Sequence, residues 1–576
     1  MRRKPFHMCL MIALLPWFVG AVWAQDLPPE VIAYADLVLY NGKVLTADEA
    51  FTTVEAVAIR DGKFLAVGDS RRILEMAGPD TRRVDLGGRS VTPGFIDTHQ
   101  HSSFVTSPRR GSGLGFPPSQ IEYDTLEKAL EGLRRRVEQA QPGEFLALSG
   151  PTNIVVVQEL NATLLDQVAP ENPLYIRALN NQVVANSLVL NQIPPDTPGI
   201  LKDQQGLPTG QLRGGAGGVA VYELKPWATV DSLLEPQKVR FRRHNAQGLT
   251  TIMGRANGLS ISVFRELWME DGLTLRVRVA HEFLRQNSSP EAYLKRLGNL
   301  TDFGDDMFKI IGATVQVVDG ASLTGSSRTS KPKLNPPEGD PYGPFGQNKW
   351  EESGDVATSD RRNIILGNRY GWTISGLHSS GDMSNTILLE AFEEAHQERS
   401  LVGRHFGIDH GAMWKPHHFD KIKEMDVIPS LFSKALYDND DLVSIYGMDE
   451  VTTMQPVRSL IDAGIRPAAE ADAFDERSSA PLFNMMKWIT RLDDKGRQVN
   501  PQERITKQEA LYMYTLWSAG YSGEQDLLGS IEAGKLADLV VLGGDYLTFP
   551  ENDLDKLRIL MTVLGGRIVH EVSGAF

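Results

Sequence analysis

Two histidines one residue apart, His99 and His101, close the run Val91-Thr92-Pro93-Gly94-Phe95-Ile96-Asp97-Thr98-His99-Gln100-His101. The run reads as an apolar strand. Alternate residues of a strand project to one side. Both imidazoles can therefore aim at one point, a geometry for a divalent metal. Two satisfied histidines in a half-buried strand would give the same spelling. Lys309 stands between Met307-Phe308 and Ile310-Ile311. A lysine inside an apolar strand is costly unless it is paired or chemically altered. Carbon dioxide adds to such an amine as a carbamate, an anion able to bridge two metals. A lysine at a strand end would instead reach solvent along its stem. His378 ends Trp372-Thr373-Ile374-Ser375-Gly376-Leu377, and His410 ends Phe406-Gly407-Ile408-Asp409. Taken singly, each reads as a structural or exposed histidine, and Asp472 as an ordinary loop acid. His281 also follows a strand, His417-His418 reads as a solvated loop pair, and His244, His396 and His405 read as structural. The single cysteine, Cys9, lies in the first 24 residues. Past that point there is no disulfide and no thiolate nucleophile, so any metal must be held by His, Asp, Glu or Lys.

The elements that would position these groups alternate. Ala35 to Val67 reads as β-hairpins turned at Asn41-Gly42 and Asp61-Gly62. Strands recur only near the other end, at 537–542 and on either side of Gly565-Gly566. Neither piece can bury both faces alone, so one composite β-sandwich from residues 25–92 and 529–576 is expected. Between them, strand-like runs at 250–253, 275–279, 308–311, 372–377 and 405–408 alternate with helices such as 125–139 and one opened by Thr506 and Glu509. The fold class is α/β, with a (β/α)₈ TIM-like barrel over residues 93–528. An inserted subdomain is expected at about 116–227, and a long lid loop at about 326–355. There is no internal repeat.

The 576 residues carry 59 Lys+Arg against 73 Asp+Glu, a net charge of −14, with 41% hydrophobic and 23% charged residues. That is a globular composition. It argues against nucleic-acid binding, since no basic run or stacking aromatic series appears. Residues 1–24 read as a signal peptide: Arg2, Arg3 and Lys4, an apolar Met8–Val22, and Ala24 before Gln25. An uncleaved anchor is the alternative. Cleavage would remove three positive charges and leave −17, placing the protein in the periplasm or outside the cell, with no stable membrane span. The oligomeric state, a homodimer included, stays open.

His-x-His, a strand lysine, two strand-end histidines and a late aspartate occur here in the order seen in the amidohydrolase superfamily, which the chain resembles over nearly its whole mature length. Pro93 to His101 is very like that superfamily's opening strand, and Leu528-Gly529-Ser530-Ile531-Glu532-Ala533-Gly534-Lys535-Leu536-Ala537-Asp538-Leu539-Val540-Val541-Leu542 is very like its return to the β-sandwich. The middle resembles amidohydrolase family 3, the branch that includes N-substituted formamide deformylase, through Lys309 with Asp319-Gly320, His378-Ser379-Ser380-Gly381-Asp382, Arg404 to His410, Asp472 and Arg491. The resemblance implies one or two divalent ions, zinc by default. His99 and His101 would hold the first ion, His378 and His410 the second, with carboxylated Lys309 bridging. Asp472 would touch the first ion and act as catalytic base and then acid. Substrate contacts are implied at Asn181, Asp319, Arg404 and Arg491.

Several pocket positions depart from family 3. Asn180-Asn181 stands where a Gly-His pair is common, and Gly150-Pro151-Thr152-Asn153 replaces a Gly-Trp-Asp type turn. Glu470-Ala471-Asp472 replaces Gly-Ser-Asp, and Asp409-His410 replaces Glu-His. The expectation is a retained reaction core with an unusual pocket: an exported hydrolase of a C–N bond in a small amide, formamide or cyclic amide. Deamination, decarboxylation or retro-aldol cleavage at the same site is one rival. A non-catalytic exported regulator of this fold is another.

Overall fold

The computed structural model describes residues 33–576 except 101–120, 122–124, 150–155, 157–158, 178–182, 214–215, 218, 221–223, 225–228, 283–289, 316–317, 337–342, 347, 349, 351–359, 438–439 and 474–475. The expected signal peptide, His101 and Asn181 lie outside the described residues.

Strands Phe95–Asp97, Leu249–Ala256, Arg276–His281 and Phe308–Ala313 pair in parallel in that order. A second parallel set runs Leu377–Ser379, Gly407–His410, Ile428–Phe432 and Ala468–Glu470. The sets are joined at both ends. Ala313 bridges Ile374 in parallel, and the backbone N–H of Thr98 donates to the carbonyl of Ala469 at 3.1 Å. Alternation along each strand buries two faces. Ile252, Val277, Val279 and Ile310 pack outward with Phe241, Phe264 and Leu267 of the flanking helices. Their neighbours Met253 and Ile311 join Ile96, Ala468 and Tyr521 on the opposite face. Gly94 is required where the first strand begins, because a Cβ there would lie 2.1 Å from Thr250 Oγ1. The strand reading at 372–377 is corrected: only Ile374 bridges there, and the ladder starts at Leu377.

The two chain ends share one six-stranded sheet, in which Ser90–Pro93 sits between Lys43–Leu45 and Leu539–Leu542. A four-stranded sheet from Ala35–Asp85 packs on it through a buried cluster that includes Leu37, Val57, Phe64, Leu539 and Val563. Asp61-Gly62 and Gly565-Gly566 are hairpin turns with positive φ at both residues. Asn41-Gly42 is not, which corrects the sequence reading. Its flanking strands belong to different sheets, so the turn carries the chain between layers. A buried tie links these sheets to the parallel strands: Arg276 donates to both oxygens of Asp538 at 2.7 and 2.8 Å.

Within the expected insertion lies a separate five-stranded sheet, from Leu146–Ser149 to Pro208–Leu212, with its own buried clusters. Helix Leu126–Glu138 starts one residue later than expected, capped by Thr125. Thr506 and Glu509 form the expected capping box. Part of the expected 326–355 loop is tied down: Arg328 N–H donates to Asp319 and Ser330 N–H to Asp382. His417 and His418 are not a loop pair. They lie in helix Pro416–Met425, and His418 is buried, its Nε2 2.9 Å from the Thr386 hydroxyl.

Candidate metal centre

Three strand ends bring the site together. The first strand runs through Asp97 to His99, the strand Gly407–His410 ends on His410, and Ala468–Glu470 runs on to Asp472. Asp97 stitches two of these ends. Its carboxylate accepts from the backbone N–H groups of His99 and Ala471 and from the Gln100 amide. Burial pushes Asp97 up to about 7, against the pull of those N–H donors. Asp472 N–H donates to the carbonyl of His99 at 3.1 Å. His410 and Asp472 both have left-handed backbones, with φ of 74° and 46°. Non-glycine residues are rarely held there, and such strain gathers at functional sites.

His99, His410 and Asp472 each offer one ligand atom, and those three atoms lie within 4.8 Å of one another. Each histidine is backed by a carboxylate. His99 Nδ1 lies 2.7 Å from Asp409 Oδ2, and Asp409 Oδ1 accepts from the Tyr521 hydroxyl at 2.6 Å. His410 Nδ1 is paired with Glu470. Both Nε2 atoms are thereby directed to the shared space, an arrangement repeated in protein metal sites. Burial alone would raise Asp409. The neighbouring His99, with Arg255 and His410, instead holds it well below the usual carboxylate range. Burial disfavours charge on His410, but Glu470 and Asp472 outweigh it and raise its pKa.

Two cations face the same atoms. Arg255 Nη2 lies 3.1 Å from His99 Nε2. Lys434 Nζ donates to Asp472 Oδ2 at 3.1 Å and also to the Asp472 carbonyl. His99 Nε2 is 3.8 Å from Asp472 Oδ1. His378 stands beside the group, its ring 4.4 Å from that of His410. Its Nε2 faces Ser380 Oγ at 3.4 Å and Asp319 Oδ1 at 3.8 Å.

Lys309 is not brought to this group, which corrects the bridging role expected of it. It is the second residue of Phe308–Ala313, and its ammonium meets Glu524 at 2.8 Å. Glu524 is also held by Arg278 at 2.6 Å. Ile311, on the same face and nearer the strand's C-terminal end, lies in the apolar cluster with Ile96 and Met253. A carbamate on Lys309 would set an anion against the buried Glu524 carboxylate. Three expected substrate contacts are corrected as well. Asp319 is fully buried and accepts from the N–H groups of Arg328, Ser380 and Gly381 and the Ser384 hydroxyl. Arg404 binds the carbonyls of Gly371 and Trp372. Arg491, at the left-handed end of helix Pro481–Thr490, binds the carbonyls of Val499, Gln455 and Met454. All three hold loops together. Asp409, Glu470, Arg255 and Lys434 were absent from the expected site. The available signal was a charged residue at the end of an apolar run, and for Asp409 and Glu470 a departure from a familiar motif.

The amidohydrolase family model matches residues 82–570. N-substituted formamide deformylase of Arthrobacter pascens is 25% identical, the alignment covering 94% of this chain and 99% of that one. Exoenzymes regulatory protein AepA of Pectobacterium carotovorum is 21% identical over 72% of this chain and 90% of its own. The crystal structure of an uncharacterized metal-dependent hydrolase from Pyrococcus horikoshii superposes with a TM-score of 0.70 at 21% identity, covering 89% of this chain and 99% of that one.

Proposed function

This chain belongs to the amidohydrolase family, and from that premise we propose that it hydrolyses the C–N bond of a small amide, formamide or cyclic amide at a single divalent-metal site. The observation that carries the reading is the convergence of His99, His410 and Asp472 within 4.8 Å, both histidines carboxylate-backed. This donor set fits a divalent ion of the zinc type, which takes imidazole nitrogen and carboxylate oxygen. When bound, such an ion polarises a carbonyl and makes water a nucleophile at neutral pH.

The chain's own residues supply the rest. Asp409 and Glu470 fix which imidazole nitrogen faces the site. Asp472 takes a proton from the attacking water and passes it to the leaving nitrogen. The water oxygen bonds to the acyl carbon, the C–N bond breaks, and a carboxylic acid and an amine leave. We read the two parallel strand sets as one closed (β/α)₈ barrel. On the same reading, residues 25–92 and 529–576 form a composite β-sandwich domain, and residues 1–24 form an export signal that sends the protein to the periplasm or outside the cell.

The test is elemental analysis of the purified protein followed by product analysis on N-formyl amines. Stoichiometric zinc, release of formate plus amine, and a rate lowered roughly 10²–10⁴-fold in Asp472→Asn support the reading. Carbon dioxide or aldehyde as product would move it to the decarboxylase or aldolase rival. No bound metal and no turnover would leave the regulator.

A further inference from the structure

His410 does not hold its left-handed backbone alone. The turn after it is tight: Gly411, at φ 35°, donates its N–H back to the Asp409 carbonyl at 3.0 Å. The next carbonyl, that of Ala412, accepts from the backbone N–H of Gln455 at 2.7 Å. Gln455 is itself left-handed, with φ of 53°. It is fully buried, and its side-chain amide has no hydrogen-bond partner, so its backbone alone makes the connection. The Gln455 carbonyl in turn accepts from Arg491 Nη1 at 3.2 Å, that of Met454 from Nη2 at 3.4 Å, and that of Val499 from Nε at 3.0 Å. Arg491, at φ 54°, and Asn500, at φ 52°, are left-handed too. One run of contacts thus passes four strained non-glycine corners and ends at the candidate ligand.

Such corners persist only where their surroundings over-determine them. A guanidinium can do this, because its rigid fork fixes several acceptors at once. Arg491 is fully buried, and among the described residues no carboxylate hydrogen-bonds it. Glu503, the acid that acts on it from nearby, is engaged by the N–H and hydroxyl of Ser459. Burial brings Arg491 down to about 10, so it stays charged at neutral pH. A buried charge bound to neutral carbonyls is a costly way to close a helix end. What it adds is a fixed position for the loop that meets Ala412.

We propose that Arg491 is a positioning residue for the metal centre: through Gln455 and Ala412 it fixes the backbone of His410, and with it the direction of Nε2. Glu470 sets the tautomer of that ring, and Arg491 sets where its backbone stands. The inference rests on the reading of His410 as a metal ligand.

Zinc competition and a spectroscopic stand-in test it on the full-length protein. Zinc binds Arg491→Met about tenfold more weakly than wild type, the lower end of what removing an outer partner of a ligand costs. Cobalt(II) in place of zinc reports ligand geometry through its visible d–d bands, and these shift in the variant. Arg276→Met is the control for lost stability alone. Arg276 opens its strand, at the end opposite to the one on which His410 closes its own. That variant has a lower Tm but wild-type zinc affinity and cobalt bands. Wild-type affinity and bands in Arg491→Met overturn the inference and leave the metal reading standing. If Arg491→Met does not fold, a second pair decides. Glycine accepts a left-handed backbone and valine does not, and the Gln455 side chain has no hydrogen bond to lose. Gln455→Gly keeps wild-type zinc affinity, and Gln455→Val is about tenfold weaker; equal affinities in the two overturn the inference. A wild-type protein that binds no zinc removes the metal reading and this inference with it.

Discussion

Replacing Glu470 should weaken metal binding in two separable steps. His410 is buried, and its Nδ1 has Glu470 as partner. That contact fixes the imidazole tautomer and ring angle and makes Nε2 more basic. In Glu470→Gln the amide oxygen can still accept from Nδ1–H, so the tautomer survives and only the charge is lost. Removing one such outer partner typically lowers metal affinity about 10–100-fold, and the Gln variant belongs at the lower end, near tenfold. Glu470→Ala also removes the acceptor and strands a buried N–H, a penalty of about 1–3 kcal/mol. It belongs near 100-fold or beyond. The assay is zinc competition against a chromophoric chelator at fixed pH, with circular dichroism to verify the fold. Zinc affinity unchanged in a folded Glu470→Ala protein would show that His410 does not depend on Glu470, and the ligand assignment of His410 would fall with it.

Lys309→Met should lower thermal stability without changing zinc stoichiometry, since the lysine pairs with Glu524 and not with the ligand group. Glu524 keeps its Arg278 partner, so the loss is that of one charge-assisted hydrogen bond, about 1.5–3 kcal/mol, read as a fall in Tm; loss of metal at unchanged Tm would restore the bridging role. Glu524 itself should mark the acid limit. Burial raises it, but Arg278 and Lys309 bring it down from 4.5 to about 2. A depressed carboxylate contributes stability that is complete above its unfolded pKa and is lost as pH falls from about 4.5 towards 2, roughly 3 kcal/mol in all. The stabilities of wild type and Glu524→Gln from denaturant titrations should therefore differ by a constant, full gap above about pH 4.5 that narrows as pH falls towards 2; a gap unchanged from about pH 6 to pH 2 would refute this. Asp538→Ala should cut the tie between Arg276 and the terminal sheet and lower Tm by the equivalent of about 3–5 kcal/mol, with an unchanged Tm as the contrary result.

What the sequence could reveal of this site follows from how far each cue reaches. His99, His410 and Asp472 were legible because each follows a short apolar run, and strand ends converge wherever parallel strands pair side by side. Lys309 was misplaced because an apolar strand with one lysine spells the same word whichever end of the sheet the lysine occupies. Only the register against Arg278 and the contact with Glu524, 215 residues away in sequence, reveal the end. Arg404 and Arg491 misled for a related reason. A guanidinium that binds backbone carbonyls of distant loops leaves no trace in the types of its neighbours. The Asn41-Gly42 turn has the composition of a hairpin, yet strand pairing, not turn chemistry, decided that its flanks enter different sheets. Asp409 and Glu470 show the reverse. Both were visible as departures, an Asp where Glu is usual and a Glu where Gly is usual. Each lies against the Nδ1 of a candidate ligand histidine, so the two changes that made the motif look eroded are placed to orient its imidazoles. A motif scored by identity treats them as losses, whereas scored by the proton each histidine must hold, they are what keeps Nε2 turned towards Asp472.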